Sequence, residues 1–574
     1  MTTTDNLNLP EAVLPTLQRL NATIPADLDV KAVAKAWFAA FVTSVEAGDA
    51  QGVAKLFVND GYWRDMLALT WDFRTFYGLS KITQFLADRL GSVRPTAFTL
   101  RDDGYLALQQ PYPDLAWINL FFDFETPTSI GSGIARLVPN ANGEWKAHTV
   151  YTNLEDLKGF PEKIGPLRDA APNHIQWASD RKREVEFLDK SPVVLVVGGG
   201  QSGLEVAARL KAFDVPTLVV EKNRRIGDNW RNRYDALCLH DPVWADHMAY
   251  LPFPPTWPVY APAAKLANWL EIYTEALELN VWTSSTLVKA IQDGDLWHVR
   301  ISRGDGSERT FTVKHIIFAT GIGSNDGTFP KYPGMDTFKG QILHSTRHKS
   351  ATDHLGKKVI VVGACTSGTH QLKQSINAHC IYSENGLPTD IADRVTASFP
   401  YHFNFALAQR STKAIAELDK DLLDALRARG FKINFGIEGT GFLFLAFMKL
   451  GGYYLDTGTS RLIADGKIKI KTGGSLESFT ETGLKFEDGS ELPADVVVFA
   501  TGLGDTRDHI RKVVDEEVFK KVKPVWGLDP EGELNGMWRD LGVKGLWSML
   551  GMLYWSLLHP HSLQINRESC YVSI

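Results

Sequence analysis

Residues 193–230, VVLVVGGGQSGLEVAARLKAFDVPTLVVEKNRRIGDNW, constrain the fold of the whole chain. An apolar run, Val193 to Val197, suits a buried parallel strand. Gly198, Gly199, Gly200 and Gly203 follow as G-x-G-x-x-G, and Leu204, Val206, Ala207 and Leu210 recur at helical spacing. A second apolar run, Thr217 to Val220, ends on Glu221. Strand, glycine turn, helix, strand and terminal acid form a complete dinucleotide-binding context. Gly198 permits the tight turn, and Gly203 lets helix and strand pack closely. Gly200 lets backbone N–H groups approach a pyrophosphate at the helix N-terminus, where the dipole favours anions. The Glu221 carboxylate can accept hydrogen bonds from ribose hydroxyls. The bland alternative is a glycine turn in some other α/β protein, and the terminal acid argues against it.

At 574 residues the chain has room for three to four domains. Its net charge of −6 gives no basic field, so nucleic acid is not an expected partner. The four cysteines, Cys238, Cys365, Cys380 and Cys570, form no C-x-x-C, which argues against a zinc ribbon or redox dithiol. Sparse cysteine fits a reducing compartment, and MTTTDNLNLPEAV lacks a signal-peptide pattern, so a cytoplasmic location is expected. The most apolar segment, Gly545 to Leu558, is shorter than the roughly 20 residues that span a bilayer. No transmembrane segment is therefore expected. None of the 15 histidines shows metal-ligand spacing, so no metal site is expected.

Val33, Ala34, Trp37, Phe38, Phe41, Val42 and Val45 predict a first helix. Further helices are predicted near Gln51–Phe57 and Ser80–Leu90, and strands over 61–76, 97–109, 116–125, 132–138 and 144–151. Helices followed by a strand meander predict a separate α+β domain. The stretch EAGDAQGVAKLFVNDGYWRD resembles the NTF2-like (SnoaL-like) cone fold. That resemblance implies a cone whose interior Trp63, Asp65, Trp71 and Tyr77 either line as a ligand site or fill as core. A domain of this kind also serves packing or dimerisation, which leaves a homodimer open. Residues 156–190 read as a connector with one helix over about 173–188. The proline- and aromatic-rich stretch 242–262 is too apolar for a solvated linker and is expected to fold over a cofactor or line a cavity. A helix over 263–279 and strands around 286–290, 296–302 and 309–318 follow.

Phe318-Ala-Thr-Gly-Ile-Gly323 has a near copy in Phe499-Ala-Thr-Gly-Leu-Gly504, and Val359–Val362 leads into Gly363-Ala-Cys-Thr-Ser-Gly368. The duplication predicts an α/β chain with two Rossmann-like dinucleotide-binding domains, the second inserted in the first, preceded by the α+β NTF2-like domain. Expected boundaries are 1–155 for the NTF2-like domain, 156–190 for the connector and 191–328 for the first part of the first dinucleotide-binding domain. They continue with 329–488 for the second dinucleotide-binding domain and its insertion, and 489–574 for the second part of the first.

Four features together resemble the class B flavin-dependent monooxygenases, in particular YUCCA-like and fungal flavin-containing monooxygenases. They are the glycine motif with Glu221, the tract Gly227-Asp-Asn-Trp230 with Arg233-Tyr234-Asp235, the fingerprint Phe338-x-Gly340-x-x-x-His344-Ser345, and the Ala-Thr-Gly pair. The resemblance covers about residues 190–570 and implies FAD in the first site and NADPH in the second. It implies oxygen transfer from dioxygen to a small organic substrate through a flavin C4a-(hydro)peroxide. By position it places Gly198, Gly199, Gly200, Gln201, Ser202, Gly203, Glu221 and Lys222 on the FAD adenosine diphosphate. It places Trp230, Arg231 and His240 on the flavin side, and Thr320, Gly321, Thr501 and Gly502 at the crossings. Gly363, Thr366, Ser367 and Gly368 would approach the nicotinamide dinucleotide phosphates. His344 would act as an orienting catalytic side chain or as a structural hydrogen-bonder.

Three departures bear on activity. Cys365 replaces the usual middle glycine, and His348 replaces an aromatic of the fingerprint. The unit after Gly368 is short, with no Lys or Arg between Lys373 and Arg394 to pair with a 2′-phosphate. The alternatives are an uncoupled NAD(P)H oxidase and a non-catalytic flavin-binding relative.

Overall fold

The computed structural model describes residues 13–323, 327–363, 381–454, 456 and 458–550. Its N-terminal part joins helices α1 (Val30–Glu46), α2 (Ala50–Ala54) and α3 (Leu79–Val93) to a seven-stranded sheet. Asp29 and Asp49 start the first two helices by accepting the Ala32 and Gly52 N–H groups. The strands are β1 (Phe57–Met66), β2 (Phe73–Tyr77), β3 (Thr96–Leu100), β4 (Ala107–Tyr112), β5 (Leu115–Glu125), β6 (Ser129–Pro139) and β7 (Trp145–Leu157), in the order β2-β1-β7-β6-β5-β3, with β4 also on β5.

Alternation splits this sheet into two buried faces. Trp63, Ile118, Phe122 and Val150 face the helices, where Trp37, Phe41, Phe57, Phe76 and Phe85 fill the space between. Trp37 stacks on Phe41 with ring centroids 5.0 Å apart, and Phe76 on Phe85 at 4.1 Å. Trp63 donates to Thr152 Oγ1 at 3.0 Å. Asp65 accepts from the Leu69 and Thr70 backbone N–H groups and from the Thr70 and Thr152 hydroxyls. Burial raises the Asp65 carboxyl to about 6 against the pull of those bonds. Trp63 and Asp65 are thus core and turn-holding residues. The other face carries Arg64, Met66, Ile134, Arg136 and Tyr151 and packs on the rest of the chain.

Helix α4 (Trp177–Val185) leads into β8 (Val194–Val197), α5 (Gln201–Ala212), β9 (Thr217–Val220) and α6 (Asp228–Arg231). After α7 (Ala263–Ala276) come β10 (Val281–Trp282), β11 (Thr286–Asp293), β12 (Leu296–Ser302), β13 (Glu308–Val313) and β14 (His315–Phe318). The single strand expected over 309–318 is two: β13 closes an antiparallel meander with β11 and β12, and β14 enters a parallel sheet. That sheet runs β10-β9-β8-β14-β21, with β21 (Leu546–Ser548) at its edge.

The second parallel sheet is β15 (Gln341–His344), β20 (Val496–Phe499) and β16 (Val359–Val362), in the order β15-β20-β16. A second antiparallel meander, β17 (Leu476–Thr480), β18 (Gly483–Phe486) and β19 (Glu491–Pro493), precedes β20. The expected return to the first domain near residue 490 is therefore moved to β21. All four side chains of β20 are buried and apolar, so the strand takes a central place, and β15 and β16 supply a neighbour on each side.

Between the glycine turn at Gly363 and that meander lie α8 (Thr389–Ala397), α9 (Tyr401–Leu418), α10 (Lys420–Ala428) and α11 (Gly441–Lys449). Residues 381–383 form bends, and Tyr382 is buried with its hydroxyl donating to Asp393. Residues 378–380 lie outside the described residues.

Candidate functional site

The turn after β8 is held from both sides. Gly198 has φ +111°, and a Cβ there would lie 2.4 Å from the Ala319 carbonyl oxygen. A Cβ on Gly203 would lie 2.0 Å from the Gly198 carbonyl oxygen. Both positions exclude any side chain. Around Gly200 the space is open apart from Asn229 Nδ2 at 3.3 Å. Gly200 is also the N-cap of α5 and supplies no side-chain acceptor to the first N–H groups of that helix. Such a helix end is arranged to receive an anion. Glu221 is buried, and its carboxylate accepts the Gly199 N–H and the Asn223 N–H, each at 2.8 Å.

The other residues expected at this site divide into groups. Gln201 and Ser202 open α5, and Trp230 Nε1 donates to Gln201 Oε1 at 3.4 Å across the turn. Lys222 is exposed. Arg231 directs its guanidinium to the Ile226 carbonyl, Asp228, Asn268 and Glu271, bracing α6 against α7. His240 is exposed, with Nε2 3.6 Å from Asp241.

The second unit repeats the geometry of the first. Gly363 has φ +104°, and a Cβ there would lie 2.6 Å from the Ala500 carbonyl oxygen. Val197 pairs with Phe318 and Val362 with Phe499, so each glycine turn rests on the alanine of an Ala-Thr-Gly. Thr366, Ser367 and Gly368 lie outside the described residues. Thr320 and Thr501 are half-buried, and Gly321 and Gly502 have φ +77° and +93°.

The two Ala-Thr-Gly ends meet. A Cβ on Gly323 would lie 2.2 Å from the Leu503 carbonyl oxygen. Thr328 N–H donates to the Gly502 carbonyl at 2.8 Å, and Thr501 Oγ1 donates to the Thr328 carbonyl at 2.5 Å. His509 Nε2 lies 2.9 Å from the Gly323 carbonyl oxygen. His344 ends β15 beside this crossing. Its side chain is buried against Phe329, and its Nδ1 accepts the Thr346 N–H at 3.2 Å. Burial lowers its pKa, while the Gly502 backbone pulls it up. A Cβ on Gly327 would lie 2.1 Å from the His344 ring.

Sequence reading missed the charged seam under the N-terminal sheet. Arg64 meets Glu533, Arg74 meets Glu531, Arg539 meets Asp72, and Arg394 meets Glu155. Their separations in the chain run from 239 to 469 residues, so no local pattern announces them. Among the described residues no group of His, Cys, Asp or Glu is arranged to hold a metal, and no helix is long and apolar enough to cross a membrane.

Residues 189–526 match the family model described as flavin-binding monooxygenase-like. Indole-3-pyruvate monooxygenase YUCCA1 of Oryza sativa subsp. japonica is 31% identical over 325 residues, covering 54% of this chain and 76% of that protein. Probable indole-3-pyruvate monooxygenase YUCCA4 of Arabidopsis thaliana is 30% identical over 325 residues, 54% of this chain and 75% of that protein. Among solved structures, a flavin-containing monooxygenase from Stenotrophomonas maltophilia aligns with TM-score 0.41 and 17% identity over 66% of this chain and 98% of that one. An ε-caprolactone-bound cyclohexanone monooxygenase aligns with TM-score 0.47 and 16% identity over 66% of this chain and 87% of that one. The chain belongs to the flavin-binding monooxygenase-like family and is an oxidoreductase of the flavin-dependent monooxygenase class.

Proposed function

We propose that the chain binds FAD across Gly198–Gly203 and NADPH across the turn that starts at Gly363, and transfers one oxygen atom from dioxygen to a small organic substrate. The observation that carries this reading is the duplicated geometry. Each positive-φ glycine lies on the alanine of an Ala-Thr-Gly, and the two Ala-Thr-Gly ends converge at Gly323 and Leu503. The residues present fit FAD: an uncapped helix end, a Gly200 with open space beside it, and a buried acid at the end of the second strand.

Bound FAD with NADPH supplies the redox and oxygen-activating chemistry. The chain's own residues bind, orient and exclude water. The N–H groups that open α5 would take the diphosphate. Glu221 fixes the turn through Gly199 and keeps lone pairs for ribose hydroxyls. Trp230 closes over Gln201, and the apolar stretch 242–262 would cover the flavin side. His344 acts as a buried orienter at the crossing of the two units. The α+β arrangement of residues 13–157 supports the NTF2-like resemblance.

The named relatives are indole-3-pyruvate monooxygenases, which makes that 2-oxo acid the first substrate to test. A second reading, the uncoupled NAD(P)H oxidase, keeps both dinucleotide turns and releases peroxide in place of an oxygenated product; the absence of Lys or Arg between Lys373 and Arg394 bears on NADPH against NADH in either reading. Turnover with NADPH and isotopically labelled dioxygen separates the two. Label in an organic product supports oxygen transfer; hydrogen peroxide as the sole product supports the oxidase.

A further inference from the structure

Two buried arginines of the N-terminal sheet reach the same helix end. Arg136, on β6, donates to the Ser398 carbonyl at 3.3 Å, to Ser398 Oγ at 2.7 Å and to the Val395 carbonyl at 3.5 Å. Its guanidinium lies 3.6 Å from the Phe399 ring centre. Arg64, on β1, donates to the Ala397 carbonyl and to the Phe399 carbonyl. These carbonyls terminate α8, where unsatisfied acceptors and the negative end of the dipole gather. The two cations therefore cap one helix from a separate domain. Three residues before the helix end, Arg394 donates a two-pronged bond to Glu155 of β7, at 2.8 and 2.9 Å.

Neighbouring side chains of α8 make the contacts on its far side. Asp393 accepts from the Tyr382 hydroxyl at 2.7 Å, and His247 Nε2 lies 3.4 Å from it. Ala392 packs with Ala245 and Tyr382, and Trp244 packs against that group. His247, Ala245 and Trp244 belong to the stretch 242–262, which begins soon after Trp230. That stretch is tied to α7 by the Tyr273 hydroxyl donating to the Ala249 carbonyl at 3.0 Å.

We propose that Arg136 and Glu155 are positioning residues for the flavin-side stretch 242–262, acting through α8. The N-terminal domain then acts on the oxygenation site through α8. This rests on the flavin reading above, since it is that stretch's cover over FAD that is being held.

The test uses the full-length protein loaded with FAD, with iodide quenching of flavin fluorescence as the measure of solvent access. Wild type is compared with Arg136→Met, Glu155→Gln and, across the helix, Asp393→Asn, each checked for native circular dichroism and FAD content. The account expects a two- to tenfold rise, roughly, in the quenching constant for all three. Arg136→Lys should restore part of the protection, because it keeps the charge but loses the forked geometry. If Arg136→Met does not fold, Glu155→Gln and Asp393→Asn carry the comparison. Folded, FAD-loaded variants with wild-type quenching would overturn the proposal. A wild-type protein that takes up no FAD would instead overturn the flavin reading.

Discussion

Arg64 and Glu533 form a two-pronged ion pair, at 2.7 and 2.8 Å, whose side chains are 2% and 0% exposed. Thr75 Oγ1 donates to the same carboxylate at 2.5 Å. The pair ties the N-terminal sheet to the segment that runs into β21, and so to the first parallel sheet. Leaving one partner buried alone costs about 3–5 kcal/mol, whereas replacing both with apolar groups of similar size is often near neutral. Arg64→Met should lower unfolding stability by that amount, and Arg64→Met with Glu533→Leu should recover part of it, since the Ala397 and Phe399 carbonyls and the Thr75 hydroxyl stay without their partners. Equilibrium urea unfolding checks both; additive losses in the double variant would contradict the coupling.

The repeated glycine geometry lets the two proposed coenzyme sites be tested apart. Gly198→Ala forces a Cβ against the Ala319 carbonyl and should abolish FAD retention. Gly363→Ala forces one against the Ala500 carbonyl and should leave FAD bound while slowing its reduction by NADPH at least about tenfold. FAD content and anaerobic reduction rates check the pair. Loss of FAD in Gly363→Ala with retention in Gly198→Ala would reverse the assignment.

Glu221 links the turn to the following strand. Removing its carboxylate leaves the Gly199 and Asn223 N–H groups without their acceptor. Charge-assisted bonds of this kind contribute about 1.5–3 kcal/mol. Glu221→Ala should weaken FAD binding by about ten- to a hundredfold. Titration of the apoprotein checks this, and unchanged affinity would count against the site.

The local parts of this architecture were legible and the distant ones were not. The strand, turn, helix and acid from Val193 to Glu221 lie within one short stretch, where each residue's type follows from its neighbours. The two Ala-Thr-Gly ends were visible as a repeat. Their sheet membership was not, because β14 and β20 are both short, largely apolar and followed by Ala-Thr-Gly. Only pairing tells them apart. Nothing in the local sequence marks Arg64 and Arg136 as buried. Their burial depends on Glu533 and on the end of α8, which stand hundreds of residues away.

Glu155 predicts a pH dependence. Burial alone would raise its carboxyl, but the bond and charge of Arg394, with Ser132 and Asn153, hold it at about 2, below the ordinary 4.5. A lowered folded-state pKa contributes stability that is complete above 4.5 and is lost as pH falls towards 2. Glu155→Gln should therefore cost about 2–3 kcal/mol at pH 7 and progressively less below pH 4.5. Melting temperatures of the two proteins across that range check the sign; a gap that widens on acidification would contradict it.

The most direct measurement of the central claim is the flavin content of the purified chain, read with its anaerobic response to NADPH. The account predicts one FAD per chain, bleached by NADPH and coloured again when oxygen enters, with both properties lost in Gly198→Ala. A wild-type protein that stays colourless in excess FAD, or a Gly198→Ala variant that keeps its full flavin, would contradict it.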